Sequence, residues 1–79
     1  MLGRQRRIDY EKFQISVIVR NNPGITRKEL LKKLSMMGGT WYLRKLSRRL
    51  NKMNSIKCIR WFNKDINRYE YKHYWEDVI

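Results

Sequence analysis

Between Leu30 and Lys64 the chain carries no carboxylate, yet Arg44, Lys45, Arg48, Arg49 and Lys52 fall close together there. Cations at such spacings gather onto one side of a helix at about 100° per residue. Without acids beside them they are suited to polyanions, and phosphates above all. The whole chain agrees: nineteen Lys and Arg against seven Asp and Glu give a formal charge of +12, a field that favours anionic partners. Other chemistry is sparse. Cys58 and His73 are possible metal ligands, but two ligands do not make a site and their spacing fits no zinc motif. They read as a buried thiol and a surface histidine. His73 has no nucleophile or acid partner in sequence, no glycine-rich phosphate loop is present, and the paired Glu76 and Asp77 sit in a terminal tail. The expectation is therefore not an enzyme, with no cofactor, no metal and no small-molecule substrate. A chain this short also leaves little room for a buried ligand cavity.

The elements that must carry these cations follow from periodicity. Residues 1–8, with Arg4, Arg6 and Arg7 around Gly3 and Gln5, show no apolar period and read as a flexible basic arm. From Asp9, taken as an N-cap, Tyr10, Phe13, Val17 and Ile18 recur near 3.6 residues and predict a first helix to about residue 22, with Ile15 and Val19 broadening its apolar surface. Asn21, Asn22, Pro23 and Gly24 break it. Thr26 and Glu29 then form a capping box, with Ile25 and Leu30 placed as a hydrophobic staple. Leu30, Leu31 and Leu34 give a second helix its buried stripe, and Gly38 and Gly39 turn the chain.

Thr40 is the expected cap of a third helix over residues 40–53, whose Leu43, Leu46, Leu50 and Met53 form the apolar face. Trp41, Arg44, Lys45, Arg48 and Lys52 point away from that face, with Tyr42 and Arg49 on its flank. Residues 55–62 alternate as a strand, with Ile56, Cys58 and Phe62 on one side and Lys57, Ile59 and Trp61 on the other. Residues 63–67 have turn composition. Residues 68–75 alternate again, placing Tyr69, Tyr71, His73 and Trp75 together and Arg68, Glu70, Lys72 and Tyr74 opposite.

The order helix, helix, tight turn, helix, hairpin over residues 25–75 resembles a winged helix-turn-helix domain. The resemblance implies an α+β fold of three helices followed by a two-stranded antiparallel wing, forming a single domain over residues 9–79. In that family the unit Ile25-Thr-Arg-Lys-Glu-Leu-Leu-Lys-Lys-Leu34 corresponds to the first helix of the motif and residues 40–54 to the recognition helix. Two positions depart from the pattern: Asn54 stands where a glycine commonly closes the recognition helix, and the wing tip reads Asp65-Ile66-Asn67-Arg68. In size and in its abundance of Ile, Asn, Lys and Tyr, the chain is also similar to regulators carried by archaeal viruses and plasmids.

The resemblance implies a sequence-specific transcriptional regulator of duplex DNA, with residues 40–53 in the major groove. Arg44 and Arg48 are the expected guanine or phosphate contacts, Lys45, Arg49 and Lys52 phosphate ligands, and Tyr42 a positioning hydroxyl. Thr40 would offer a phosphate its hydroxyl or N–H. Lys64 and Arg68, and the arm with Arg4, Arg6 and Arg7, would approach a minor groove. Trp41 has two readings, tucked into the core or packed on DNA sugars.

A homodimer is implied as well. Helix one and Tyr74, Trp75, Val78 and Ile79 are the candidate interface, unless they complete the core. Two other functions stay open: RNA or single-strand binding by stacking on the hairpin tyrosines, and a protein-interaction module on the same scaffold. Cys58 is the sole cysteine and no apolar run approaches the roughly 20 residues of a membrane span. A soluble protein of the cytoplasm is expected, the host cytoplasm if the source is viral.

Overall fold

The computed structural model describes residues 2–76, with side chains from residue 5 onward. It is an α+β fold of three helices and one three-stranded antiparallel sheet. The elements run α1 (Leu2–Asn21), β1 (Ile25–Thr26), α2 (Arg27–Met36), α3 (Leu43–Asn51), β2 (Ile56–Asn63) and β3 (Arg68–Trp75).

α1 begins far earlier than its apolar period suggests, so residues 2–8 are helix and not a flexible arm. Leu, Arg and Gln are good helix formers. Asp9 serves inside the helix and not as its cap: its Oδ1 accepts from Gln5 Nε2 at 3.1 Å, one turn earlier. The buried face also differs from expectation. Ile15, Ile18 and Val19 reach the core together with Glu11 and Gln14, whereas Tyr10 and Phe13 are 61% and 62% exposed. Two stripes of helical spacing are interleaved here. The one carrying a carboxylate turns inward because that carboxylate finds cationic partners on α3.

The breaker works as read. Asn22 Nδ2 donates to the Ile18 carbonyl at 2.8 Å, and Gly24 adopts φ +83° while its N–H donates to the His73 carbonyl at 2.9 Å. That bond leads into β1, a strand too short to show a period of its own. β1 pairs with β3 (Ile25 with His73, Thr26 with Lys72), so the expected two-stranded hairpin is in fact a sheet of order β1-β3-β2. Thr26 then caps α2, its Oγ1 accepting from the Glu29 N–H at 3.3 Å. Leu30 and Leu34 are buried beneath α2.

α3 starts later than expected, at Leu43. Thr40 is not its cap; Tyr42 holds that position in extended backbone. The segment before it is held by packing, because Trp41 lies against the core. α3 buries Leu46 and Leu50, and Met53 packs against the core from beyond its end. β2 and β3 pair along their length, from Ile56 with Trp75 to Asn63 with Arg68. Among the described non-glycine residues the left-handed one is Asn67, in the hairpin tip, and not Asn54. Among the described residues no helix is long and apolar enough to cross a membrane.

Candidate nucleic-acid interface

α3 divides the expected phosphate ligands into two groups. Arg44, Arg48 and Lys52 are exposed and follow one another at intervals of four residues. On a helix such positions line one side, about 6 Å apart. Among the described residues, the ion pairs are those of Lys45 and Arg49 with Glu11. Lys45 and Arg49, expected as phosphate ligands, have this partner within the fold. They turn toward α1, where Lys45 Nζ meets Glu11 Oε2 and Arg49 Nε lies 3.3 Å from Glu11 Oε1. The three side chains are only 8% (Glu11), 18% (Lys45) and 14% (Arg49) exposed. Lys45 also donates to the Thr40 carbonyl at 2.8 Å and sits 4.7 Å from the centre of the Trp41 ring. Two cations read as ligands thus hold α3 against α1. Trp41 is half-buried beside them, and Thr40 and Tyr42 are exposed.

The hairpin brings a second group of cations. Lys64 opens its tip and Arg68 opens β3, both exposed. Asn63 Oδ1 accepts from the Asp65 N–H at 3.0 Å, and Asn67 adopts φ 55°, a conformation that Asn tolerates. The tip is therefore a defined turn. Arg6 and Arg7 are exposed on α1, and Arg7 faces a depression of about 420 Å³ shared with Tyr10 and the α2–α3 turn. The side chain of Arg4, together with Val78 and Ile79, lies outside the described residues.

Cys58 and His73 exchange the places expected of them. They are cross-strand partners, but His73 is fully buried and Cys58 is exposed. β3 is the central strand and its His73 lies beside β1, whereas β2 is an edge. His73 Nδ1 is 3.0 Å from the Ile25 carbonyl, a geometry in which the ring N–H donates. Burial, offset in part by that bond and reinforced by the Arg27 charge, holds the imidazole below its ordinary pKa of 6.5. Arg27 was not singled out by its sequence. It joins four elements from the first turn of α2, donating to Ser47 Oγ at 3.4 Å and Cys58 Sγ at 3.7 Å and lying 4.8 Å from the centre of the Tyr71 ring.

Register places Tyr69 and Tyr71 on the sheet face of His73 and Trp75, as their alternation predicted. Toward the tip this face passes beyond the core. Tyr69 lies edge-on to Phe62 with ring centres 5.0 Å apart, and Arg60 sits 4.0 Å from the Tyr69 ring centre. On the opposite face Lys72 sits 3.8 Å from the centre of the Trp61 ring. A second depression, of about 540 Å³, opens between this overhanging sheet and the starts of α2 and α3. Both depressions lie on the surface between elements, which is how a chain with little space for a buried cavity still forms such volumes. Compared with protein-family models, curated proteins and solved structures, the chain matches none.

Proposed function

We propose that this chain is a winged helix-turn-helix protein that binds duplex DNA as a transcriptional regulator, with α3 in the major groove and the tip at residues 64–68 near the minor groove. The observation that carries the reading is the outward pair Arg44 and Arg48 on α3, continued by Lys52 at its C-cap, on a helix whose inward side is occupied by the core and by Glu11. The element order is compatible with it, the sheet having three strands in the order β1-β3-β2 where the resemblance implies a two-stranded wing. A fold alone does not choose a partner. The charge of +12 and the acid-free stretch favour a polyanion, and the width of the major groove suits a single helix.

In this reading Arg44 and Arg48 contact guanines or phosphates, and Lys52, Lys64 and Arg68 neutralise phosphates. Lys45 and Arg49 position the helix. The exposed Tyr10 and Phe13 of α1 supply the interface of a homodimer, which presents two helices to two half-sites. The test is fluorescence anisotropy of labelled duplex DNA, single-stranded DNA and duplex RNA at two salt concentrations. Duplex DNA should bind most tightly, and Arg48→Ala should lower the dependence of log affinity on log salt by about one. Preference for single strands or RNA, or an unchanged slope in the variant, refutes the assignment of α3.

A further inference from the structure

The depression between hairpin and helices carries apolar and aromatic surface that duplex binding does not use. Leu31 and Leu43 contribute apolar surface, and Tyr69 and Tyr71 supply the sheet side. Leu43 belongs to the leucine stripe of α3 yet is 55% exposed, and Tyr69 is 59% exposed. The chain does not fill this apolar lining itself. Around it stand Arg27, Lys28 and Arg68, against the single acid Glu70. Its volume of about 540 Å³ lies within the roughly 300–1,000 Å³ typical of sites for small organic groups.

We propose that this cleft holds an unpaired DNA nucleotide next to the duplex gripped by α3. The inference rests on the duplex-binding reading above. A base offers its flat face to an aromatic ring only when it is unstacked, whereas bases within a duplex are covered on both sides. The cleft presents Tyr69 for that face and Lys28 and Arg68 for the adjoining phosphates, since Arg27 already lies over the Tyr71 ring and donates to Ser47 and Cys58. Its apolar surface at Leu31 and Leu43 would lie against the base. The cleft also lies where the strand would pass, between the tip carrying Arg68 and the start of α3. The preferred substrate is accordingly DNA with a single-stranded segment adjoining a duplex.

The test compares a blunt duplex, the same duplex with a single-stranded overhang, and the strand alone, each with wild type, Tyr69→Ala and Tyr69→Phe. A fluorescent adenine analogue in the overhang reports stacking. In wild type the overhang should tighten binding about tenfold, the scale of one base–aromatic stack, and quench the analogue. Tyr69→Phe should retain both effects. Tyr69→Ala should lose them while binding the blunt duplex unchanged. Equal affinity for blunt and overhang probes in wild type overturns the inference and leaves the duplex reading standing, whereas loss of blunt-duplex binding in wild type refutes that reading first. If Tyr69→Ala does not fold, the analogue in wild type decides, with quenching in support and its absence against. Polyglutamate that displaces the overhang probe as well as the free strand does overturns the inference in favour of an acidic protein segment.

Discussion

Glu11→Gln removes one charge while keeping the shape of the side chain. Glu11 is the shared partner of Lys45 and Arg49, and all three side chains are less than one-fifth exposed. Breaking a buried ion pair costs about 3–5 kcal/mol, because a charge is left without its partner. Lys45 keeps the Thr40 carbonyl, and both cations keep some contact with water, which brings the expected loss to about 2–3 kcal/mol. A domain of this length has roughly 4–12 kcal/mol in total, and each kcal/mol moves Tm by about 4–8 °C. The variant should therefore melt about 10–20 °C below wild type by circular dichroism at neutral pH. A double-mutant cycle with Arg49→Met should return a coupling of about 1 kcal/mol or more. A Tm within about 2 °C of wild type, or a coupling near zero, refutes the claim that these cations hold α3 to α1. The same logic separates stability from binding: Lys45→Met should lower Tm, whereas Arg48→Ala should leave Tm unchanged and weaken DNA binding.

His73 makes stability depend on pH. Its folded pKa is lowered mainly by burial, so the unfolded chain takes up the proton first as pH falls. The contribution of the neutral ring is complete above about pH 6.5 and is lost as pH falls from there toward the folded value, at up to about 1.4 kcal/mol per pH unit. Urea denaturation at pH 7.5 and pH 5 should show the decline, and His73→Asn, which keeps a donor for the Ile25 carbonyl, should flatten it. Gly24→Ala should cost about 1–2 kcal/mol, because φ is +83° and the added Cβ would stand 3.2 Å from Tyr74 Oη; a urea midpoint equal to wild type contradicts this. Phe13→Glu should convert the proposed dimer to monomer in sedimentation velocity and remove the concentration dependence of Tm that such a dimer brings. A wild-type chain that is already monomeric at high concentration disproves that interface.

Much of the local structure is legible in the residues themselves. Asn22, Pro23 and Gly24 end α1, Thr26 caps α2, Leu30 and Leu34 are buried, and the alternation of residues 68–75 places Tyr69, Tyr71 and His73 on one face. Such signals act between residues a few positions apart, so composition and spacing are enough to read them. Arg44, Arg48 and Lys52 are legible for the same reason, although the same spacing also placed Lys45 outward, and Lys45 turns to Glu11.

Tertiary structure decided the rest, wherever the deciding partner is distant along the chain. Glu11 lies buried because Lys45 and Arg49 come to it from α3, and that contact determines which stripe of α1 faces the core. β1 exists because β3 pairs with it; two residues have no period to read. The same pairing makes β3 central and buries His73, while Cys58 remains on an exposed edge. The cleft at Leu43, Tyr69 and Tyr71 is lined by residues of α2, α3 and the hairpin together, a packing relation to which no single segment holds the information. Local spacing determined the elements and the outward cations of this protein, and contacts between distant segments determined which of its charges hold the fold.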